Sequence, residues 1–270
     1  MPAVDARHLR GVSETALLTL HQRATEAARP DGIIDDPVAI ALHSALDYDY
    51  EHFGRTHQAT AWRALIFDEA TRAYLATRPR ATVVALAEGL QTSFWRVDNG
   101  ELTWISLDLE PVIALRRQLL PTPDRLGHLA CSALDFSWMD RVDVTEGVLV
   151  TAEGLLQYLD RGSVFELIAA CANRFPGGRL VFDSVPPMLS AYSRRRRGIK
   201  LSPHYTAPPM PFSFTAAQYD ELLAVAGVRT VHELSPPPVR GALLRPATAL
   251  WYRMPALARY RAAHTVVEFG

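Results

Sequence analysis

The sequence predicts an α/β protein with a doubly wound, mostly parallel seven-stranded sheet, and three observations predict it. Thr82 to Asp108 holds a short apolar run, a turn at Glu88-Gly89 and a second apolar run tipped by a carboxylate. From Thr82 to Asp183 such runs alternate with helical segments, the pattern of parallel strands with helices on both faces. Residues 1–79 read as helix ahead of the first strand, a cap rather than an independent domain. The resulting division is a helical cap (1–79), a nucleotide-binding core (80–183), a lid inserted after the fifth strand (184–214) and a C-terminal helix with two strands (215–270).

Taken in order, Ser13 is the expected N-cap of a helix over 13–28, with Leu17, Leu18, Leu20 and Ala24 on its apolar stripe and Pro30-Asp31-Gly32 beyond its end. Asp36-Pro37 opens a second helix, proline being suited to the first helical position. Residues 47–58 read as a polar, aromatic loop, in which Tyr48, Tyr50 and Phe53 suit either an acceptor pocket or the cap's core. Residues 59–77 form an amphipathic helix with Trp62, Leu65, Ile66, Ala70, Ala73 and Tyr74 inside. Strands are expected at 82–87, 102–108, 128–132, 147–152, 179–183, 228–233 and 265–269. Helices are expected at 111–119, 161–175 and 215–226. Residues 184–214 are too long for an ordinary connection and read as a lid, with Arg194 to Arg197 as a solvated charged turn; recognition of an anionic substrate or partner is the alternative. The proline-rich stretch with Trp251 and Tyr252 reads as an irregular connection.

At 270 residues, 49% hydrophobic and 21% charged, the composition is that of a globular protein. A net charge of −1 gives no global attraction to nucleic acid or to an anionic membrane. No apolar stretch reaches the roughly 18 residues of a membrane span, and the N-terminus lacks the apolar region of a signal peptide. Cys131 and Cys171 read as buried free thiols, so the expected compartment is the cytoplasm. Oligomeric state is open, a homodimer included.

Candidate site residues follow from the sheet. Ligands of open α/β sheets bind at the carboxyl ends of strands. There Asp108 ends strand two, Glu153 strand four and Asp183 strand five, while Asp135 follows strand three. Gly89 lets the backbone approach a ligand, and Asp108 comes 19 residues later, near the roughly 20 of a ribose-binding acid. The plain reading of each acid is a turn residue or helix cap, which competes for Asp135 and Asp183. No His or Cys spacing supports a metal. One glycine in place of three argues against a dinucleotide oxidoreductase.

The ordered motifs Ser13-Glu14-Thr15-Ala16-Leu17-Leu18 with Arg23-Ala24, Asp35-Asp36-Pro37, Arg63 and Asp68, VVALAEGLQTSFWRVDNG, SLDLEPVIALRRQLL, TAEGLLQYL and RFPGGRLVFD resemble the leucine carboxyl methyltransferase-like family. Their nearest likeness is its tetracenomycin-type polyketide O-methyltransferase branch. The resemblance spans about residues 12–184. It implies a Rossmann-like class I methyltransferase fold, S-adenosylmethionine (AdoMet) as cofactor and a small-molecule acceptor. It places Ala87, Glu88 and Gly89 beside the methionine half of AdoMet, Asp108 and its neighbour Leu109 at the ribose, Leu134 and Asp135 at the adenine, and Glu153 near the methionine amino group. Arg63, with Arg23 as a second candidate, would hold the methionine carboxylate, which a planar guanidinium pairs bidentately.

The chain departs from the family's L-G-x-G-L-D-T-R: Ala87 replaces a glycine, Gln91 an aspartate and Ser93 an arginine, and Glu88 adds a charge. These changes raise a second expectation, a methyltransferase fold that no longer methylates and serves in binding or in another step. For the leading expectation, O-methylation, a carboxylate acceptor needs no base; for a hydroxyl, His204, Tyr158 and Tyr205 are the candidate bases.

Overall fold

Seven strands form one sheet, the central ones largely apolar: β1 (Thr82–Leu86), β2 (Thr103–Asp108), β3 (Leu126–Ala130), β4 (Val148–Ala152), β5 (Arg179–Ser184), β6 (Val228–Glu233) and β7 (Ala263–Phe269). A computed structural model describes residues 3–270, the side chains of residues 255, 256 and 258 excepted. The strand order is β6-β7-β5-β4-β1-β2-β3, parallel except for β7, which runs antiparallel to both β5 and β6. The chain thus winds out from β1 in both directions, and β1 and β4 flank the crevice where a ligand binds such a sheet.

Alternate residues of β1 serve opposite layers, as a pleated strand requires. Val83 and Ala85 pack with Phe67 and Tyr74 of α3 (Ala59–Leu75), while Val84 and Leu86 pack with Val164, Leu167 and Ile168 of α6 (Arg161–Arg174). Every residue of β1 and β4 is buried, as expected of central parallel strands covered on both faces. α4 (Ser93–Val97) and α5 (Glu110–Leu119) follow β1 and β2. The cap packs α1 (Thr15–Ala27) against α2 (Pro37–Ala45) over the carboxyl edge. Tyr48, Tyr50 and Phe53 belong to the cap's own core; the Phe53 ring meets Tyr205 edge-on at 4.8 Å.

Six expectations change. α1 begins at Thr15 behind Glu14, and Ser13 caps nothing: the chain enters through a backbone turn, Thr15 N–H donating to Val12 O. The inner face of α3 runs through Ala61, Ala64, Phe67, Asp68 and Thr71, leaving Ala73 exposed, because the ion-paired Asp68 occupies an inward position. β3 starts two residues early because the buried Leu126 pairs with Trp104. The segment expected as a lid is partly regular: α7 (Pro187–Arg195) begins with proline at its first position, and Ile199–Lys200 pairs with Thr206–Ala207 as a short hairpin. Arg194 to Arg197 lie exposed at the end of α7, where cations complement the helix dipole. The expected helix over 215–226 is a 3-10 turn (Ala216–Gln218) running into α8 (Tyr219–Leu223), and the proline-rich connection holds α9 (Leu244–Arg253). Pro246 is tolerated there because it sits in the first turn, where the amide has no helical partner.

Candidate active site

The carboxyl ends of β1, β2 and β4 open beneath the cap into a cavity of about 420 Å³, within the ~300–1,000 Å³ of small-molecule sites. Its floor is the turn after β1. The chain passes through Ala87 at φ +46° and Gly89 at φ +60°; a left-handed conformation costs a residue with a Cβ about 1–2 kcal/mol. Side chains hold the turn by its backbone. Gly89 N–H donates to Asp108 Oδ2 at 2.7 Å. Arg116 Nη1 donates to the carbonyls of Gly89 and Gln91 at 2.9 and 2.8 Å. Arg23 Nη2 donates to Leu90 O at 2.7 Å.

Glu88 lines the cavity, but its carboxylate is engaged. It pairs with Arg116 at 3.0 Å and accepts from the Ser106 hydroxyl. Burial pushes its pKa up, against the pull of Arg116. The added charge is therefore matched inside the protein.

Asp108 closes β2. Its Oδ2 takes Gly89 N–H and its Oδ1 takes Leu109 N–H at 2.7 Å, and each carboxylate oxygen retains a further lone pair. Burial raises its pKa above the ordinary carboxylate value, against those two N–H groups. Beside it Leu109 and Leu134, 49% and 37% exposed, present apolar side chains to the cavity. Across the crevice Glu153 Oε1 accepts from Arg63 Nε at 2.9 Å and Gln91 Nε2 at 2.7 Å. Arg63 also reaches Asp183 at 3.5 Å. Burial works against the Arg63 charge, but Asp183 and Glu153 outweigh it and raise its pKa. Asp183 accepts from Gly154 N–H at 2.6 Å and so fixes the loop after β4.

Of the expected site residues, Arg63, Ala87, Glu88, Gly89, Asp108, Leu109, Leu134, Glu153 and Tyr158 line this cavity. Four others do not. Arg23 is fully buried against Asp36, at 3.0 Å, and the Leu90 carbonyl, so its guanidinium faces the cap interior. Asp135 is exposed and caps the 3-10 turn Phe136–Arg141 through Ser137 N–H. His204 is exposed at the tip of the lid hairpin. Tyr205 is buried in the cap core. Cys131, expected buried, is half-buried on the cavity wall; both cysteines are free. Tyr158 keeps a high pKa through burial.

Gln22, His57 and Thr60 also line the cavity and were missed. Gln22 Nε2 lies 3.3 Å from His57 Nε2 and accepts Thr60 Oγ1 through its own oxygen. His57 stands at the end of the polar, aromatic loop before α3, where no spacing in the sequence marks it.

Ser93, where the family motif has an arginine, is bound by a neighbouring arginine. Arg96, one turn later, donates to Ser93 Oγ at 3.0 Å, to both oxygens of Asp68 at 2.7 and 3.0 Å, and to Asp36 at 2.6 Å. Asp36 in turn caps α2 through Ala39 N–H. The cap, α3 and the segment after the β1 turn thus meet at one guanidinium.

The donor set fits AdoMet: a carboxylate with free lone pairs beside two apolar side chains, and a guanidinium with an acid across the crevice. Fold and site define the class, an AdoMet-dependent methyltransferase of the class I fold. A family model for leucine carboxyl methyltransferase matches residues 16–172. The chain belongs to that family, as its motifs led us to expect. It is 34% identical over 193 residues to the tetracenomycin polyketide synthesis O-methyltransferase TcmP of Streptomyces glaucescens, covering 69% of this chain and 70% of that protein. It is 31% identical over 201 residues to the S-adenosyl-L-methionine-dependent methyltransferase dpfgK of Gibberella zeae, covering 65% and 67%. Among solved structures, the CurJ carbon methyltransferase shares the fold at a TM-score of 0.52 and 15% identity, over 96% of this chain and 68% of that one. No helix among the described residues is long and apolar enough to cross a membrane.

Proposed function

We propose that this enzyme transfers the AdoMet methyl group to a carboxylate or hydroxyl oxygen of a small, largely apolar acceptor, as one step of a polyketide-like secondary metabolism in the cytoplasm. The observation that carries this reading is the facing pair Asp108 and Glu153, with Arg63, around one cavity. The likeness to TcmP supports the oxygen acceptor and the metabolic setting.

Bound AdoMet supplies an electrophilic methyl group that needs no further activation. The protein's own work is positioning and exclusion of water. Asp108 accepts the ribose hydroxyls, Leu109 and Leu134 cover the adenine, and Glu153 takes the methionine ammonium. Arg63 holds the methionine carboxylate with the N–H groups that Glu153 and Asp183 leave open. Leu18, Ile199, Leu201 and Met210 from cap and lid shield the acceptor end. A hydroxyl acceptor finds His57 and Tyr158 on the wall for its proton; a carboxylate needs neither. The mutually matched pairs Glu88–Arg116 and Ser93–Arg96 favour a working cofactor turn over a fold that has lost methylation.

The test is transfer of labelled methyl from AdoMet to a panel of aromatic acids and phenols. Asp108→Ala and Glu153→Ala are each expected to cut transfer at least about tenfold, the loss of charged hydrogen bonds, while His204→Ala leaves it unchanged. Undiminished transfer in both acid variants contradicts the assignment.

A further inference from the structure

Beneath the turn after β1, between α3, the carboxyl ends of β1 and β4 and the side chain of Trp104 near the start of β2, lies a second cavity of about 20 Å³, lined by Glu88, Gln91, Ser93, Trp104, Thr151 and Glu153 among others. About 10–15 Å³ suffices for one water. Three buried polar atoms of these residues, Glu88 Oε1, Gln91 Oε1 and Trp104 Nε1, make no well-formed hydrogen bond among the described residues, and the Trp104 N–H stands near enough to Glu88 to help lower its pKa against burial. Their residues are 7%, 6% and 2% exposed. Unpaired polar atoms at such depth each forfeit about 1–3 kcal/mol.

We propose that this cavity is the site of one ordered water, which accepts from Trp104 Nε1–H and donates to Glu88 Oε1 and Gln91 Oε1. The stoichiometry is the argument. An indole N–H only donates, and an ionised carboxylate only accepts. Glu153 likewise accepts only, so Gln91 must turn its NH₂ toward it and its oxygen toward the cavity. Two acceptors and one donor match a water's two hydrogens and one lone pair. A bare cation is disfavoured by the N–H aimed at the same space.

The water gives Gln91, the residue standing where the family has an aspartate, a fixed orientation. Trp104 and Glu88 then act as positioning residues for Glu153, through the water and the Gln91 amide. This second part rests on Glu153 being a cofactor acid; the water itself does not.

A crystal structure resolving ordered water is expected to show density within hydrogen-bond distance of all three atoms. In solution the Trp104 Nε1–H, assigned by its loss in Trp104→Phe, is expected to give a water-selective ROESY cross-peak. Direct bonding among the three side chains, with neither density nor cross-peak, overturns the site. Trp104→Phe also leaves a void in the core and lowers the melting temperature; in the protein that remains folded it is expected to weaken AdoMet binding in calorimetry by about fivefold, one hydrogen bond's worth. Gln91→Met, which removes both bonds of the amide, is expected to weaken it at least as much. If the water is seen but both variants bind AdoMet as wild type does, the positioning role falls while the water site stands. If Asp108→Ala also binds normally, the cofactor assignment falls instead.

Discussion

Arg116→Met is the sharpest test of how the altered turn is held. The Arg116 side chain is 0% and that of Glu88 3% exposed, and their contact is 3.0 Å. Removing the guanidinium strands the Glu88 carboxylate and leaves the Gly89 and Gln91 carbonyls without their donor. Breaking a buried ion pair from one side costs about 3–5 kcal/mol. For a chain of this size that is a fall in melting temperature of about 6–20 °C. Adding Glu88→Gln removes the stranded charge and leaves only the carbonyls, a residual loss of about 1–3 kcal/mol. The double variant is therefore expected to be about 2 kcal/mol more stable than Arg116→Met in urea titrations. Both variants should still bind AdoMet weakly, because both lack the clamp on the turn. A double variant no more stable than the single one, or a single variant within about 1 kcal/mol of wild type, refutes the reasoning.

Two further outcomes are expected. Asp108 must be ionised to accept the ribose hydroxyls, and burial raises its pKa; AdoMet affinity is then expected to fall as pH is lowered through that raised value, at a higher pH than an ordinary carboxylate would give. Asp108→Asn should bind weakly with no such dependence; its amide can accept only one of the Gly89 and Leu109 N–H groups, a loss of about 1–3 kcal/mol that offsets the relief of the buried charge, so the ligand-free variant should melt no higher than wild type. Ala87→Gly relieves the φ of +46°, and the relief of about 1–2 kcal/mol is partly offset by about 0.4–1 kcal/mol of unfolded-state entropy. A small rise in melting temperature is expected, and a fall would mean the Ala87 methyl packs usefully.

The sheet was legible because its central strands carry an unmixed signal: Thr82–Leu86 and Val148–Ala152 are buried on both faces and read as continuous apolar runs. The edge strand Leu126–Ala130 has a single buried residue, so its register was read two positions late. That Asp108 and Glu153 border the cavity was legible because the carboxyl ends of the strands around the switch point face the crevice; Asp183, on the next strand out, turns to Gly154 and Arg63 instead. Arg23 was not, because a basic residue on a cap helix can face the cavity or the interior, and only the partner Asp36 decides. The four departures in the turn were visible singly, but their partners Arg116 and Arg96 lie on neighbouring helical segments and emerge only when these pack. His57 was hidden by its plain surroundings; no periodicity marks a loop residue that borders a cavity.

The convergence on Arg96 has a practical consequence for anyone mapping this enzyme by random mutagenesis. Asp36, Asp68 and Arg96 sit away from the reacting groups, yet losing any one strands a charge shared by the roof, a wall and the floor of the chamber. Inactive clones should accumulate at these three positions as densely as at the ligand contacts. They report a cornerstone, and substrate titrations on the surviving folded variants will separate it from the chemistry.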